Sequence, residues 1–214
     1  MIDEIKNNKY VRVLLYPIIL LRRIYFRIKN RRTATFNYLF SNVKQGSIIL
    51  NIKEIRGDFE IDVRSDLLKR ILIEKSYEPL IIDLIKKNID RERDAINVGA
   101  NIGIFTVLIA QLINKNKKVL AIEPTPLAFN YLGKNINRNL LNEKVILFNG
   151  ICSDKKGTYW LNTIAGKEEY SSLGKSIYIS QTKTYTTKLQ VEGETVDNLV
   201  SRFKLDPGLI LIDV

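Results

Sequence analysis

From residue 94 onward, short apolar runs alternate with longer segments in which apolar residues recur at helical spacing. Phe105–Leu112 has the helical spacing, and Thr125 followed by Pro126 is a typical helix start. Three apolar runs typical of buried strands accompany these helices: Ala95–Val98, Lys118–Ile122 and Val145–Asn149. This alternation predicts a mostly parallel sheet with right-handed crossovers, and therefore a doubly wound α/β fold.

After the third run, the pattern predicts two strands, a helix and a final strand. Thr158–Leu161 and Lys188–Val191 are the two strands, and a polar loop connects them. Thr195–Phe203 is a short helix, and Leu209–Val214 is an apolar strand. We expect that last run to be the fourth strand of the core sheet, so that the core occupies residues 94–214.

Residues 33–93 precede this core with a hairpin and two helices. Alternating apolar and polar residues predict strands at Ile48–Ile55 and Phe59–Val63, turned at Arg56–Asp58. Two helices follow, the first capped by Ser65 and ending near Glu74, the second opened by Pro79 and ending near Asn88.

Residues 1–32 form a basic amphipathic segment. Nine Lys or Arg stand there against two acidic residues, so +7 of the net charge of +11 lies in this segment. Its apolar residues recur at steps of four and three along one helical face: Leu14, Ile18, Leu21, Tyr25 and Ile28. The apolar run is too short to span a bilayer and lacks the small residues of a signal-peptide cleavage site. We expect a helix that lies on an anionic membrane surface; a helix docked on protein is the alternative.

Composition removes several kinds of site. The chain has no histidine, which excludes His-based triads and His-ligated zinc, and no cluster has the spacing of metal ligands. The single cysteine, Cys152, cannot form an internal disulfide, and it is interpreted as an unreactive thiol. We expect a protein of the reducing cytoplasm that binds the membrane peripherally.

The segment from Asn97 to Gly103 joins the first core strand to the first core helix. Gly99 and Gly103 allow the backbone to turn sharply and to approach a ligand closely. The loop lacks the G-x-G-x-x-G pattern that holds a pyrophosphate, and its G-x-N-x-G pattern suits a small carboxylate better. Glu123 follows at the tip of the second strand, where an acidic side chain accepts hydrogen bonds from both ribose hydroxyls of an adenosine.

Separated blocks of the chain from Tyr77 onward resemble the FkbM methyltransferase family. The blocks are Tyr77-Glu78-Pro79, Ile96–Gly103 with Phe105-Thr106, Ile122–Pro124, Ser153-Asp154 with Gly157, Glu194–Leu199 and Leu211–Val214. The resemblance implies a Rossmann-like fold that binds S-adenosylmethionine and O-methylates hydroxyls of sugars, glycans or related small molecules. It also implies that further strands and helices follow the fourth core strand in the family, so that the fold in this sequence is incomplete.

The resemblance assigns each site residue to a part of the cofactor. Gly99, Ala100, Asn101 and Gly103 would lie at the methionine end, Glu123 at the ribose, Gly150 and Ile151 beside the adenine, and Asp213 near the sulfonium and the acceptor. Asn97 stands where the family has Asp, which removes one negative charge near the ammonium group of the cofactor.

Methyl transfer to an alkyl hydroxyl requires a group that takes the hydroxyl proton. Asp213 is the first candidate for this base. Glu78 is a second candidate near the cofactor, with stabilisation of its helix start as the alternative role. Three other functions stay open: a nucleic-acid methyltransferase, a non-catalytic cofactor-binding protein and a nicotinamide dehydrogenase. The basic charge lies in the N-terminal segment, so no nucleic-acid partner is expected; the oligomeric state is not predicted.

Overall fold

A computed structural model describes residues 9–40, 42–163 and 187–214, with side chains of the first helix described from Leu20 onward. Its helices α1 to α6 are Lys9–Phe40, Asp66–Glu74, Pro79–Asn88, Ile104–Leu112, Pro126–Arg138 and Val196–Phe203. Its strands β1 to β9 are Ser47–Ile52, Gly57–Asp62, Asp94–Val98, Val119–Ile122, Val145–Phe148, Ile151–Cys152, Gly157–Thr163, Thr187–Glu194 and Pro207–Ile212. The predicted polar loop between β7 and β8 lies outside the described residues.

Strands β5, β4, β3 and β9 form, in that order, a parallel sheet. Its register aligns Val98 of β3 with Ile122 of β4 and Ile212 of β9, and Ile122 with Phe148 of β5. Strands β3 and β4 are buried along their whole length, which explains their uninterrupted apolar sequences. The predicted doubly wound, mostly parallel α/β fold is confirmed, and the carboxyl ends of its strands meet at one edge of the sheet.

Helices cover both faces of this sheet. Ala95 packs with α4 and α5 in the largest apolar cluster, whereas Ile96 and Val98 pack with Leu199 of α6. Successive residues of β3 therefore face opposite layers, as the pleat of a strand requires. Because β4 and β9 flank β3 on opposite sides, the order of strands reverses at β3, where doubly wound folds open a ligand crevice.

A smaller sheet lies beside the end of β5. Strands β7 and β8 are antiparallel, and β6 joins the other edge of β8 in parallel. Ile151, Leu161 and Val191 form its small apolar cluster. The strand pair predicted on either side of the polar loop is confirmed, and this sheet directs the residues after β5 toward the carboxyl ends of the central strands.

The predicted hairpin is present as β1 and β2, but the position predicted for its turn, Arg56–Asp58, was wrong. The strands end at Ile52 and resume at Gly57, so the turn occupies residues 53–56. Ile55 resembles a strand residue in the sequence, yet it is 1% exposed because the turn directs its side chain into the largest apolar cluster.

Asn135 of α5 fastens the hairpin to the loop that follows β3. The Asn135 side chain is fully buried, and its Nδ2 donates to the carbonyl oxygens of Glu60 at 3.1 Å and Ile102 at 2.9 Å. Its Oδ1 accepts from the Glu60 backbone N–H at 2.7 Å. The largest apolar cluster includes residues of both predicted segments, 33–93 and 94–214; their division into domains stays a prediction.

Helix α1 continues past the predicted end at Arg32 to Phe40, and it includes Pro17 in its helical range. Phe36 and Phe40 stack with ring centroids 4.7 Å apart and pack against the largest cluster, which explains the extension. Within the described part of the chain, no helix has an apolar stretch long enough to span a bilayer.

Candidate functional site

A cavity of about 630 Å³ opens at the carboxyl ends of β3, β4 and β9. Its volume lies in the range of small-molecule sites, about 300–1,000 Å³. Helix α2 and the start of α3 form one wall, and the segment after β5 forms another. Residues predicted from separate blocks of the sequence come together around it: Glu78, Gly99, Asn101, Glu123, Gly150, Ile151 and Asp213.

Three predicted site residues, Asn97, Ala100 and Gly103, are not part of the cavity wall. Asn97 is 1% exposed, and its Nδ2 donates to Thr106 Oγ1 of α4 at 2.9 Å. Its side chain faces α4 because strand residues alternate, and the next residue, Val98, faces the cavity. Asn97 Oδ1 has no hydrogen-bond partner in the described structure.

The loop after β3 depends on its two glycines for different contacts. Gly99 has φ of 77°, and a Cβ placed there would lie 2.0 Å from the carbonyl oxygen of Asp213. Gly103 has φ of 94°, and a Cβ there would lie 2.7 Å from Leu132 Cδ1 of α5. Between them, Asn101 adopts the left-handed region at φ of 50° without being glycine. Gly99 therefore packs the loop against β9, and Gly103 packs it against α5.

Several backbone N–H groups of this loop donate to acceptors inside the protein, and the role of the loop in holding a carboxylate stays a prediction. Four of them donate as follows: Gly99 and Ala100 to the Ile122 carbonyl at 3.0 and 2.9 Å, Asn101 to Glu123 Oε2 at 2.9 Å, and Gly103 to the Ala100 carbonyl at 2.9 Å. The glycine pattern identified a tight turn correctly, but it did not reveal where the amides of that turn point.

Glu123 holds the rim of the cavity together. It is 6% exposed; its Oε2 accepts from the Asn101 N–H, and its Oε1 accepts from the Thr125 N–H at 2.9 Å and the Thr125 hydroxyl at 2.6 Å. The loops after β3 and β4 are thereby tied to one carboxylate. Thr125 precedes α5 as predicted, yet its side chain makes no cap hydrogen bond, because its hydroxyl donates to Glu123.

Asp213 and Glu78 face the cavity across the end of β9. Burial raises the pKa of the Asp213 carboxyl, the charge of Glu78 raises it further, and the charge of Arg70 opposes both. Glu78 has φ of 40°, an uncommon backbone conformation for a residue other than glycine, and it is the N-cap residue that precedes α3. Its Oε1 accepts from Arg70 at 2.6 Å.

Arg70 is a cavity residue that the sequence did not single out. It lies on α2, its guanidinium stacks 5.8 Å from the centre of the Tyr77 ring, and its bond to Glu78 raises its pKa. Tyr77 in turn packs on Phe105 of α4, with ring centroids 5.3 Å apart. Asp66 lies one helical turn before Arg70 and also lines the cavity. The spacing of Asp66 and Arg70 on one helical face, shortly before the Tyr77-Glu78 block, was the sequence signal that could have identified Arg70.

Gly150 and the two residues after it form the wall next to β5. A Cβ at Gly150 would lie 2.6 Å from the Glu192 carbonyl oxygen, so the glycine lets β8 approach closely. Cys152 also lines the cavity, and burial raises the pKa of its thiol to about 11. The thiol therefore stays protonated at neutral pH, in agreement with its interpretation as unreactive. In the described part of the chain, no three His, Cys, Asp or Glu residues form a group that would hold a metal ion.

The combination of fold and site defines a class of protein. A doubly wound sheet with a glycine loop after one central strand and a buried acid at the tip of the next is typical of nucleoside-binding α/β proteins. The methyltransferase FkbM domain matches residues 97–214, which is more than half of the chain. The chain therefore belongs to the FkbM methyltransferase family. A search of curated proteins found no match.

Several solved structures are similar to part of this chain. TYW2 of M. jannaschii, in complex with AdoMet, is 28% identical over 50% of this chain and 44% of its own, with a TM-score of 0.38. TYW2 of P. horikoshii, in complex with MeSAdo, is 19% identical over 48% of this chain and 35% of its own, with a TM-score of 0.36. Trm5 of Methanocaldococcus jannaschii, in complex with adenosine, is 16% identical over 56% of this chain and 44% of its own, with a TM-score of 0.38. The chain spans less than half the length of these proteins.

Proposed function

We propose that this protein binds S-adenosylmethionine in the cavity and methylates a hydroxyl of a sugar, glycan or related small molecule. The observation that carries the proposal is the convergence of Gly99, Glu123 and Asp213 around one cavity at the ends of β3, β4 and β9. Membership of the FkbM methyltransferase family supports the same reaction class.

The charges at the cavity fit a ligand with positive groups. Its charged lining residues are Asp66, Arg70, Glu78, Glu123 and Asp213, which are four acids and one base. S-adenosylmethionine carries a sulfonium and an ammonium group against one carboxylate, and so it has net positive charge. Opposite charges attract more strongly at a partly desolvated site than in water, so this lining favours the cofactor over an anionic dinucleotide.

Each part of the cofactor has a residue of suitable chemistry. Glu123 lines the cavity beside the loop after β3 and would meet the ribose. Gly150 and Ile151 would lie against the adenine. Because four amides of the loop donate inside the protein, we assign the carboxylate of the methionine part to Arg70, since a guanidinium forms paired hydrogen bonds with carboxylates readily. Glu78 would then bind the ammonium group.

Asp213 is the candidate general base that would accept the proton of the acceptor hydroxyl. Bound S-adenosylmethionine supplies an activated methyl group on its sulfonium. Asp213 would orient the acceptor hydroxyl and take its proton as the new carbon–oxygen bond forms, and the sulfur would keep the electrons of the broken bond. The raised pKa of Asp213 makes it a stronger base than an ordinary carboxylate once it is ionised.

The acidic lining also favours an uncharged acceptor over a nucleic acid. Phosphates of a nucleic acid would approach four carboxylates, and the surplus of basic residues lies in the N-terminal segment instead. A hydroxyl of a sugar or glycan brings no such charge.

The test is formation of S-adenosylhomocysteine from S-adenosylmethionine in the presence of a panel of methyl glycosides and, separately, of transfer and ribosomal RNA transcripts. We expect turnover with at least one glycoside, a loss of at least tenfold in Asp213→Asn, and normal turnover in the control Asp197→Asn, which is on α6 and does not line the cavity. Methylation of RNA alone would contradict the proposed acceptor. Cofactor binding without transfer to any acceptor would favour a non-catalytic cofactor-binding protein.

A further inference from the structure

Helix α1 presents an apolar stripe to solvent along its described length. At about 100° per residue, Leu20, Ile24, Ile28, Leu21 and Tyr25 fall within an arc of about 140° on one side. All of them are more than 40% exposed. The stripe resumes further along the same side with Tyr38 and Leu39, which are 84% and 58% exposed. The sequence pattern stopped at Ile28, so this continuation was visible only in the helix.

Basic residues flank the stripe. At the same spacing, Arg31 falls within the arc next to Leu20, and Arg27 falls just outside it. Arg22 and Arg23 lie further round the helix, and all four arginines border a surface groove together with Phe26. The Arg22 guanidinium lies 5.6 Å from the centre of the Phe26 ring. An apolar stripe flanked by arginines matches the interface of a bilayer, where acyl chains lie next to charged headgroups.

The part of α1 that packs on the body leaves the stripe free. Lys29 Nζ forms an ion pair with Glu74 Oε1 at 3.2 Å, and Arg32 donates to the Ile73 carbonyl oxygen at 2.8 Å. With Phe36, these residues define a body-facing side that is centred roughly 80° from the middle of the stripe, and Arg32 falls at the edge of the stripe between Leu21 and Tyr25. Docking therefore fixes the helix to the end of α2 and leaves its exposed apolar residues uncovered.

We propose that α1 binds the surface of a membrane that contains anionic phospholipids. The stripe enters the acyl region, and the arginines contact the headgroups. Attachment of α1 to α2 then holds the cavity near the membrane, because Asp66, Leu67 and Arg70 of α2 line it. An acceptor hydroxyl carried on a membrane-anchored molecule would be within reach; this part of the inference rests on the proposed function.

The experiment is co-sedimentation of the full chain with vesicles of phosphatidylcholine alone and of phosphatidylcholine with phosphatidylglycerol, across a salt series. We expect binding to the anionic vesicles at low salt and several-fold weaker binding at high salt, since salt screens the arginines and leaves the apolar contact intact. A protein that stays in the supernatant with anionic vesicles at low salt overturns the proposal.

Matched variants separate the stripe from general surface properties. Leu21→Gln/Ile24→Gln/Ile28→Gln should lose binding at every salt concentration. The control changes three exposed apolar residues of the body instead: Ile49→Gln/Leu84→Gln/Leu140→Gln. Equal loss of binding in both triple variants would contradict the proposal.

A second pair of variants tests the charge. Arg23→Gln/Arg27→Gln should weaken binding to anionic vesicles at least tenfold, whereas Lys53→Gln/Lys87→Gln removes the same charge from the body and should bind normally. Analytical ultracentrifugation tests the rival occupant, a second copy of the chain. A dimer that the stripe substitutions dissociate, with no binding to vesicles, would show that the stripe is an interface between copies.

Calorimetry with S-adenosylmethionine on the same proteins separates this inference from the proposed function. We expect unchanged cofactor affinity in the helix variants. Vesicle binding without any cofactor binding would refute the proposed function and leave the membrane surface established.

Discussion

The carbonyl oxygen of Asp213 lies 2.0 Å from the position that a Cβ of Gly99 would occupy. Asp213 also donates its backbone N–H to the Val98 carbonyl at 3.0 Å. The end of β9 is thus held directly against the turn after β3, at a separation that leaves no space for a side chain. Because Asp213 is the candidate base, the glycine sets the position of that base relative to the rest of the cavity.

Gly99→Ala should both destabilise the protein and weaken cofactor binding. The new methyl group collides with backbone, and φ of 77° is unfavourable for alanine, so we expect a loss of about 3 kcal/mol or more in the free energy of unfolding. Gly133→Ala is the control, because the new Cβ meets its nearest atom at an ordinary 3.8 Å within α5. Gly133→Ala should raise the free energy of unfolding by up to about 1 kcal/mol, measured by urea unfolding. Equal stability of Gly99→Ala and the unchanged chain would contradict the observed packing.

Glu123→Gln should reduce the affinity for S-adenosylmethionine by about 10- to 100-fold. The substitution keeps the size of the side chain but removes the charge, and each hydrogen bond to a charged group contributes about 1.5–3 kcal/mol. Glu123→Ala is less informative, since it releases both the Asn101 and the Thr125 amides, whereas glutamine keeps one acceptor oxygen for them. Calorimetry measures the effect, with Glu143→Gln on the surface as the control. Unchanged affinity in Glu123→Gln would remove this residue from the site.

Asn135→Ala should lower the free energy of unfolding by about 2–4 kcal/mol without altering the chemistry of the cavity. The substitution leaves the half-buried Glu60 N–H and the buried Ile102 carbonyl without their partner and opens a small void, and each buried group without a partner costs about 1–3 kcal/mol. Asn142→Ala, on the surface, should change the free energy of unfolding by less than about 0.5 kcal/mol. Urea unfolding compares the two, and a similar small change in both would show that the hairpin does not depend on Asn135.

The carboxyl of Asp213 should titrate above the ordinary value for aspartate, which is about 3.9. Burial favours its neutral form, and so does the negative charge of Glu78, so Glu78→Gln should lower the pKa of Asp213. Arg70→Gln should raise that pKa, because the guanidinium favours the ionised form. Carboxyl carbon NMR of the cofactor-free protein measures each value, with Glu143→Gln as a variant that should leave it unchanged. Since the base acts in its ionised form, its function is lost as the pH falls through this raised pKa. A titration at or below the ordinary value would contradict the assigned surroundings.

Much of the fold follows from local patterns. The uninterrupted apolar runs identified β3 and β4 because both faces of these strands are buried. Ser65 caps α2 as predicted, with its hydroxyl accepting from the Leu68 N–H at 3.3 Å. Such features depend on neighbours within a few residues, and for this reason periodicity and capping rules detect them.

Other features were missed, and not all of them depend on distant contacts. Thr125 looked like a helix cap, but Glu123, only two residues earlier, engages its hydroxyl. The cavity position of Arg70 becomes visible only when α2 packs beside the end of β9, and nothing in the spacing of apolar residues encodes that packing. Asn97 had the sequence position of a cofactor ligand, yet the pleat of β3 turns its side chain toward α4.

The central claim is that the cavity bounded by Gly99, Glu123 and Asp213 binds S-adenosylmethionine. The most direct test is calorimetric titration of the full chain with this cofactor and, in parallel, with a nicotinamide dinucleotide. We predict saturable binding of one S-adenosylmethionine per chain, weakened in Arg70→Gln and Glu123→Gln, and no binding of the dinucleotide. Tight binding of the dinucleotide with none of S-adenosylmethionine would contradict the account.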